Sequence, residues 1–301
     1  MTFNSKSVQR TFVIGDEWLY YKIYSGVKTA DLILKEIINP ITQRLLSNKI
    51  IDKWFFIRYS DPQLHLRVRF HLTKKDNISE VIKIINNYTK PYIAQNQIWK
   101  IQVDTYQREL ERYGNNTMEL SENLFFHDSS MIVNMLNFIN GDEGENIRWQ
   151  FCLRAIDSFL DDFHYNIEQK KELMKVYIDY FSNEFNINKD ARMNLGRKYT
   201  KVKQSVIETL DHSKDDTIKI QPLFKLIEEK SLAIQSITEE LITLNNNNNL
   251  HVPLNDLINS YTHMLCNRLF KSKQRLHELV IYDFLHKYYE SEIAKRAINK
   301  K

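Results

Sequence analysis

The hydrophobic pattern of the first third of the chain switches between periods of two and of about 3.6 residues. Alternating apolar and polar positions or short runs of aromatic, β-prone residues predict strands, whereas apolar residues three and four apart predict helices. The predicted strands cover residues 18–24, 54–59, 65–72 and 97–106. The predicted helices between them cover residues 29–46 and 78–89. This β-α-β-β-α-β order is typical of a ferredoxin-like sheet.

The rest of the chain has a helical pattern. The predicted helices cover residues 118–139, 147–164, 167–185, 190–210, 220–244 and, with an expected break, 254–290. A run of five asparagines at 245–249 predicts a flexible loop. The fold class is therefore α+β, with a sheet unit at 1–115 and a helical half at 116–301. We expect the two to share one core and form one domain, because no Pro/Gly-rich hinge separates them.

Composition excludes several classes of protein. With 43% hydrophobic residues the chain can bury a core, and a net charge of +4 gives little reason to expect direct nucleic-acid binding. The N-terminus does not resemble a signal peptide, and no segment approaches the roughly 20 apolar residues of a membrane helix. The two cysteines have no CxxC spacing, which fits a reducing cytoplasm without disulfides. Neither a phosphate-binding glycine loop nor metal-ligand spacing of histidines occurs, so we predict no cofactor and no metal.

Residues 65–70, with the sequence HLRVRF, are the most unusual local feature. Side chains alternate between the two faces of a strand, so His65, Arg67 and Arg69 share one face. Two guanidinium groups on one face can bind a carboxylate in a bidentate manner. The alternative is a solvated sheet face with ordinary ion pairs, since antiparallel sheets often expose one polar face.

Two further segments carry candidate chemistry. Residues 106–114 follow the last strand and contain Arg108 and Arg112, which equally fit a charged turn with local Glu–Arg pairs. On the helix predicted from residue 254, His263 and Asn267 lie opposite the apolar stripe. A histidine there is either merely exposed or, if that side faces the sheet, a proton-transfer group. Glu122 is interpreted as a residue of a helix start.

Taken together and in this order, five segments resemble one family. They are residues 15–24 (GDEWLYYKIY), 54–62 (WFFIRYSDP), 65–70 (HLRVRF), 106–114 (YQRELERYG), and His263 with the CNR of 266–268. The family is the C-terminal elimination domain of class I lantibiotic dehydratases, also described as the thiopeptide-type bacteriocin biosynthesis domain. The resemblance covers about residues 8–290.

The resemblance implies a two-stage dehydration of a ribosomally made precursor peptide. A large partner domain esterifies a Ser or Thr with glutamate from glutamyl-tRNA, and the small domain then removes glutamate by β-elimination. Dehydroalanine or dehydrobutyrine remains. The resemblance also implies a split system that needs a separate glutamylating subunit, and it raises the expectation of a homodimer.

Carried over residue by residue, the family's functional residues correspond to four positions here. Arg67 and Arg69 would hold the carboxylates of the glutamyl group, Arg108 would support the same site, and His263 would transfer a proton. Whether His263 takes the α-proton or protonates the leaving group stays open. Around these catalytic residues we expect substrate contacts from four more: His65, Arg58, Arg112 and Asn267.

Two alternative functions are also considered. Stand-alone relatives in thiopeptide pathways join two dehydroalanines in a formal [4+2] cycloaddition that forms a pyridine or piperidine ring. A non-catalytic subunit that binds peptide or RNA within a dehydratase complex would instead leave Arg67, Arg69 and His263 dispersed or solvated.

Overall fold

The computed structural model of the chain describes residues 8–139, 143–211 and 221–299. Its contacts divide the chain into two compact units. Unit 1 comprises Met1–Asn137 with Glu240–Ser272, and unit 2 comprises Phe138–Glu239 with Lys273–Lys301. The predicted division into a sheet unit at 1–115 and a helical half at 116–301 rests on secondary-structure content rather than on contacts, and it stays a prediction.

Unit 1 contains all the strands of the described ranges. They are β1 Thr11–Phe12, β2 Trp18–Ser25, β3 Ile51–Ser60, β4 Leu64–Leu72, β5 Ile98–Asp104 and β6 Tyr106–Gln107. The four long strands form an antiparallel sheet in the order β3-β4-β2-β5, and the two short strands pair with each other. This is the strand order of a ferredoxin-like unit, so the predicted α+β class and sheet are confirmed.

Strand β4 lies in the middle of the sheet and separates two different faces. Leu66, Val68 and Phe70 are at most 1% exposed and form the apolar face. Three helices contact the strands of this sheet: α1 (Val27–Ile33) contacts β4, α2 (Asn39–Ser47) contacts β3, and α3 (Ile78–Ala94) contacts β5. Burial of this face stabilises the packing of helices on the sheet. The opposite face carries the charged side chains of β4.

The first predicted helix is interrupted where Pro40 enters it. A proline has no backbone N–H, and its ring clashes with the carbonyl of the residue four positions earlier. The chain accommodates this by widening into a π-helical segment, Leu34–Ile38, between α1 and α2. The N–H of Asn39 then donates to the carbonyl of Leu34, five residues back.

The outer edge of the sheet, strand β3, is covered by side chains of two later helices of unit 1. These are α5 (Met118–Leu136) and α10 (Leu254–Leu269). Phe56 N–H donates to Ser129 Oγ, and its carbonyl accepts from Arg268 Nε. The Asn267 amide bonds both backbone groups of Arg58, at 3.0 and 2.9 Å. An edge strand otherwise exposes a row of unpaired backbone groups, so these contacts close the sheet.

A short helix that the pattern did not predict, α4 Leu110–Tyr113, lies in the segment interpreted as a charged turn. The remaining helices agree with the pattern of the second half. They are α6 Glu143–Asp162, α7 Ile167–Glu184, α8 Lys189–Leu210, α9 Gln221–Asn246 and α11 Gln274–Asn299. The expected break after residue 254 falls between α10 and α11. The loop predicted at 245–249 begins later, because α9 continues through Asn246. None of the helices in the described ranges is both long and apolar enough to cross a membrane.

Candidate functional site

Arg69 is a buried cation enclosed by aromatic rings. Its side chain is on the charged face of β4, and the residue is only 7% exposed. The guanidinium carbon lies 4.4 Å from the ring centroid of Tyr20, 4.7 Å from that of Tyr106 and 5.1 Å from that of Phe55. No described residue accepts a hydrogen bond from Arg69 Nε. Burial in this surrounding lowers the pKa of Arg69.

Arg67, two residues earlier on the same face, is half-buried and differently surrounded. Its guanidinium stacks 3.4 Å from the ring centroid of Tyr59, and its Nε donates to His65 Nε2 at 3.2 Å. His65 Nδ1 lies 2.8 Å from the carbonyl of Gln63, to which it donates when Nε2 accepts. Burial lowers the pKa of His65, so the neutral ring is favoured. His65 therefore orients Arg67, whose remaining N–H groups can contact a ligand.

Arg108 is engaged in a buried ion pair with Glu122. Its Nε and one terminal nitrogen each lie 2.7 Å from a Glu122 oxygen, and a third nitrogen donates to the carbonyl of Gln9. Arg108 is 5% and Glu122 0% exposed. Burial alone would lower the pKa of Arg108, but the hydrogen bond and charge of Glu122 outweigh it, and the pKa is raised. The donors of Arg108 are thus largely directed at Glu122.

Tyr106 connects this ion pair to Arg69. Its hydroxyl donates to Glu122 Oε1 at 2.9 Å, and its ring forms one wall around the Arg69 guanidinium. Burial, followed by the charge of Glu122, raises the pKa of Tyr106 well above its ordinary value, so the hydroxyl keeps its proton. Arg108 therefore acts on the site through Glu122 and Tyr106, which fix the position of Arg69.

Helix α10 presents one face to α4 and to strand β3. Arg112 Nε of α4 donates to Ser260 Oγ at 3.1 Å, and Asn267 is bonded to the backbone of β3. Residues 260, 263, 264 and 267 lie on this face because positions three and four apart in a helix are neighbours. The half-buried His263 is therefore between the two contacts. Asn267 itself is used to close the sheet edge.

Arg58 and Arg268 lie side by side where β3 meets α10. Arg58 Nε donates to the carbonyl of Arg268, and another of its nitrogens is 2.5 Å from Asp31 Oδ1. This pairing explains why Arg58 is buried, and it directs the side chain away from the charged face of β4. Arg268 is fully buried and bonds the carbonyl of Phe56 through Nε.

A small cavity lies between the charged face of the sheet and helices α4, α5 and α10. Its lining includes Arg69 and Arg268, and its volume is about 30 Å³. The aromatic side chains of its walls are Phe55, Tyr106, Tyr113 and Phe125. These side chains are almost fully buried, whereas Gln107 and Glu109 of the lining are exposed. The cavity therefore reaches solvent beside these two residues.

The predicted residues divide into two groups. Arg67, Arg69 and His65 share one sheet face, with α4 and α10 packed near it, so the polar face is covered rather than fully solvated. Arg58 and Asn267 instead hold β3 against α10, and Arg108 is paired with Glu122. Reasoning from the sequence missed the roles of two buried charges, Glu122 and Arg268. A charged residue at a position that the helical period assigns to the core was the available signal.

No cluster of three metal-binding side chains occurs in the described ranges.

The chain is similar in sequence to known proteins. The family model described as "Lantibiotic biosynthesis dehydratase C-term" matches residues 18–289. The subtilin biosynthesis protein SpaB of Bacillus subtilis is 23% identical over 287 residues, covering 93% of this chain and 26% of SpaB. The epidermin biosynthesis protein EpiB of Staphylococcus epidermidis is 25% identical, covering 80% of this chain and 22% of EpiB. The chain thus spans about a quarter of the length of these relatives.

Solved structures share the fold. The tRNA-dependent lantibiotic dehydratase MibB from Microbispora sp. 107891 superposes with a TM-score of 0.71 at 20% identity, covering 95% of this chain and 29% of MibB. TbtD, a pyridine synthase from thiomuracin biosynthesis, superposes with a TM-score of 0.66 at 11% identity. That match covers 92% of this chain and 99% of TbtD.

Proposed function

The chain belongs to the family of lantibiotic biosynthesis dehydratase C-terminal domains, and from this premise we propose that it removes glutamate by β-elimination from glutamylated Ser or Thr of a precursor peptide. The observation that carries the proposal is the Arg69 guanidinium, which is held in the site without an acidic partner among the described residues. A buried cation of this kind is suited to a carboxylate ligand.

The chemistry requires one proton transfer and stabilisation of negative charge. A base removes the α-proton of the esterified residue, the Cβ–O bond breaks, and glutamate leaves with the bonding electron pair as a carboxylate. The developing enolate and the departing carboxylate are both anionic, so fixed arginines lower the barrier. Arg67, two residues from Arg69 on the same strand face, is half-buried and has further N–H groups that can contact the substrate.

His263 is the proposed proton-transfer group. It lies on the face of α10 that contacts α4 and β3, and an imidazole can both accept and donate a proton. Arg108 is assigned a positioning role, since it reaches Arg69 only through Glu122 and Tyr106. The reaction consumes a glutamyl ester, so glutamylation has to precede it; that a separate subunit supplies this ester is part of the proposal.

The deciding experiment is mass spectrometry of a glutamylated precursor peptide incubated with the purified protein. The expected result is loss of glutamate with formation of an alkene. His263→Ala should abolish this loss, and His251→Ala, an exposed histidine just before α10, should not. Glutamate loss at an undiminished rate in His263→Ala would remove His263 from the mechanism, and an unchanged peptide with the parent protein would refute elimination.

Ring formation is a second candidate, because the superposition with the pyridine synthase TbtD covers nearly all of both chains. It predicts that a peptide with two dehydroalanines, rather than a glutamyl ester, is converted. The arginine face favours elimination, since a cycloaddition between two dehydroalanines has no carboxylate leaving group. The same mass measurement with a bis-dehydroalanine peptide distinguishes the two reactions.

A further inference from the structure

One row of side chains crosses all four long strands at one end of the charged face. His65 of β4 is paired with Tyr59 of β3 on one side and with Tyr24 of β2 on the other. Directly paired residues of an antiparallel sheet point to the same face, and the ring centroid of His65 lies 5.7 Å from that of Tyr59 and 4.7 Å from that of Tyr24. Tyr24 is paired in turn with Lys100 of β5, whose Nζ lies 4.9 Å from the Tyr24 ring centroid. The row therefore spans the sheet from edge to edge.

Trp99 extends this row at the β5 edge. It is the extra residue of a bulge in the pairing of β2 with β5, and its Nε1 lies 3.4 Å from Oε1 of Gln63, which immediately precedes β4. Trp99 is 51% and Tyr59 40% exposed, whereas Tyr24 and His65 between them are buried. The aromatic row, as it is called below, consists of Tyr59, His65, Tyr24 and Trp99. It thus has an exposed ring at each edge of the sheet and buried rings between them.

The aromatic row is continuous with the proposed catalytic face. Arg67 follows His65 by two residues on β4; its guanidinium stacks 3.4 Å from the Tyr59 ring centroid, and its Nε donates to His65. Two residues of a strand span about 7 Å, which is also the span of two residues of an extended peptide. A peptide that presents its glutamyl ester to Arg67 therefore has neighbouring residues within reach of the row. We propose that the aromatic row binds the precursor peptide beside the modified Ser or Thr and accepts an aromatic or large aliphatic side chain there.

The chemistry of the row selects an uncharged, apolar side chain. This assignment rests on the proposed function, which makes a peptide the substrate. Tyrosine and tryptophan rings offer large apolar surfaces, and aromatic pairs are favourable beyond the area that they bury. The cations of Arg67 and Lys100 lie against rings of the row, so a lysine or arginine of the peptide would meet like charge. An RNA base would need an open ring face for stacking, and these two cations cover the rings of Tyr59 and Tyr24. A peptide side chain, which can also contact ring edges, is the better fit.

Binding of a peptide that cannot react tests the row independently of catalysis. In the probe, a short synthetic peptide, an amide replaces the ester between glutamate and the modified residue, and the residues on both sides of it are Phe, Ala or Lys. Trp99 is exposed whereas Trp18 and Trp54 are 1% and 2% exposed, so the Phe peptide should shift the tryptophan emission to shorter wavelength. It should bind about tenfold more tightly than the Ala peptide, the equivalent of roughly 1.4 kcal/mol, and the Lys peptide should bind most weakly.

Titration calorimetry of two variants then assigns the preference to Trp99. Trp99→Ser should reduce the preference for the Phe peptide over the Ala peptide from about tenfold to about twofold, whereas Trp99→Phe should keep the preference and lose the emission shift. Ile82→Ser, at a 41% exposed position of α3, is the matched control and should keep both. An unchanged preference in Trp99→Ser would overturn the proposal, as would equal binding of the three peptides to the parent protein.

Two further measurements separate this inference from its rivals. An oligouridine that shifts the Trp99 emission at lower concentration than the Phe peptide would assign the row to RNA and overturn the proposal. Elimination assays with the corresponding ester peptides distinguish the row from the proposed function. If the parent protein prefers the Phe amide peptide and eliminates no glutamate from any ester, the proposed function fails and the row stands. If it eliminates glutamate with equal kcat/KM from the Phe and Ala esters, the row fails and the function stands.

Discussion

Replacing Glu122 by glutamine tests the ion pair behind the arginine face. The substitution keeps the size of the side chain but removes its charge and turns one acceptor into a donor. Glu122 accepts two hydrogen bonds from Arg108, both at 2.7 Å, and one from Tyr106 at 2.9 Å. In the variant, the new NH₂ group would face a nitrogen of Arg108 or the hydroxyl of Tyr106, and the guanidinium would lose its counter-charge.

The expected loss of unfolding free energy in Glu122→Gln follows from the burial of the ion pair. Glu122 is 0% and Arg108 5% exposed, so water cannot replace the missing partner. Breaking a buried, hydrogen-bonded pair from one side costs about 3–5 kcal/mol, because the remaining charge stays buried. Glu119 offers a matched control on the same helix: its carboxylate is 3.8 Å from the same arginine, but its side chain is 69% exposed. Glu119→Gln should cost less than about 1 kcal/mol.

Urea unfolding followed by tryptophan fluorescence measures both variants. Three of the four tryptophans, Trp18, Trp54 and Trp99, belong to unit 1, so fluorescence reports mainly on the unit that contains the pair. If Glu122→Gln lost as little unfolding free energy as Glu119→Gln, the stabilising role of the buried ion pair would be refuted. Arg108→Met combined with Glu122→Met should be less destabilising than the sum of the single changes, because the double variant leaves no charge unpaired.

Three further predictions concern the sheet. Asn267→Ala should destabilise the protein by about 1–3 kcal/mol in urea unfolding, since two backbone groups of the β3 edge lose their partner; an equal loss in Asn259→Ala, on the same helix, would contradict this. Ser129→Ala should cost a similar amount by the same measurement, because the N–H of Phe56 stays buried without an acceptor, and an unchanged urea midpoint would contradict it. Burial lowers the pKa of His65 below its ordinary value, so the folded state binds this proton less readily than the unfolded chain. The stability due to neutral His65 is then full above about pH 6.5 and is lost as the pH falls through the lowered pKa. Urea midpoints should therefore decline less in His65→Gln than in the parent protein between about pH 7 and pH 5, and a parallel decline would count against a buried neutral ring.

The sheet was predictable because its strands are short segments rich in aromatic and β-branched residues, and those predicted at 65–72 and 97–106 also alternate between apolar and polar positions. The central place of β4 and the sharing of one face by Arg67 and Arg69 followed from that pattern and the βαββαβ order. The π-helical segment could not be predicted, because the helical pattern of apolar residues continues across it; Pro40 was the only sign of an irregularity there. The two-residue strands β1 and β6 are too short for periodicity to indicate.

The candidate site was only partly predictable for a physical reason. A strand pattern shows which side chains share a face, but it does not show which charges neutralise each other. Arg69 and Arg108 look equivalent in the sequence, yet one has no acidic partner among the described residues and the other is paired with Glu122. Likewise, Asn267 and Arg268 are neighbours on one helix, and only the position of β3 reveals that both complete its edge.

The covering of β3 by α10 has a consequence for how the chain folds during synthesis. The backbone N–H and carbonyl of Arg58 cannot form their hydrogen bonds with Asn267 until that residue, 209 positions later in the chain, has been synthesised. At about 5–20 residues per second, a ribosome needs roughly 10–40 s to produce that helix. Throughout this interval the sheet has an open edge that can pair with another nascent chain. Aggregation during translation should therefore depend on how fast the residues between α5 and α10 are made, and slower translation of that stretch should lower the soluble yield.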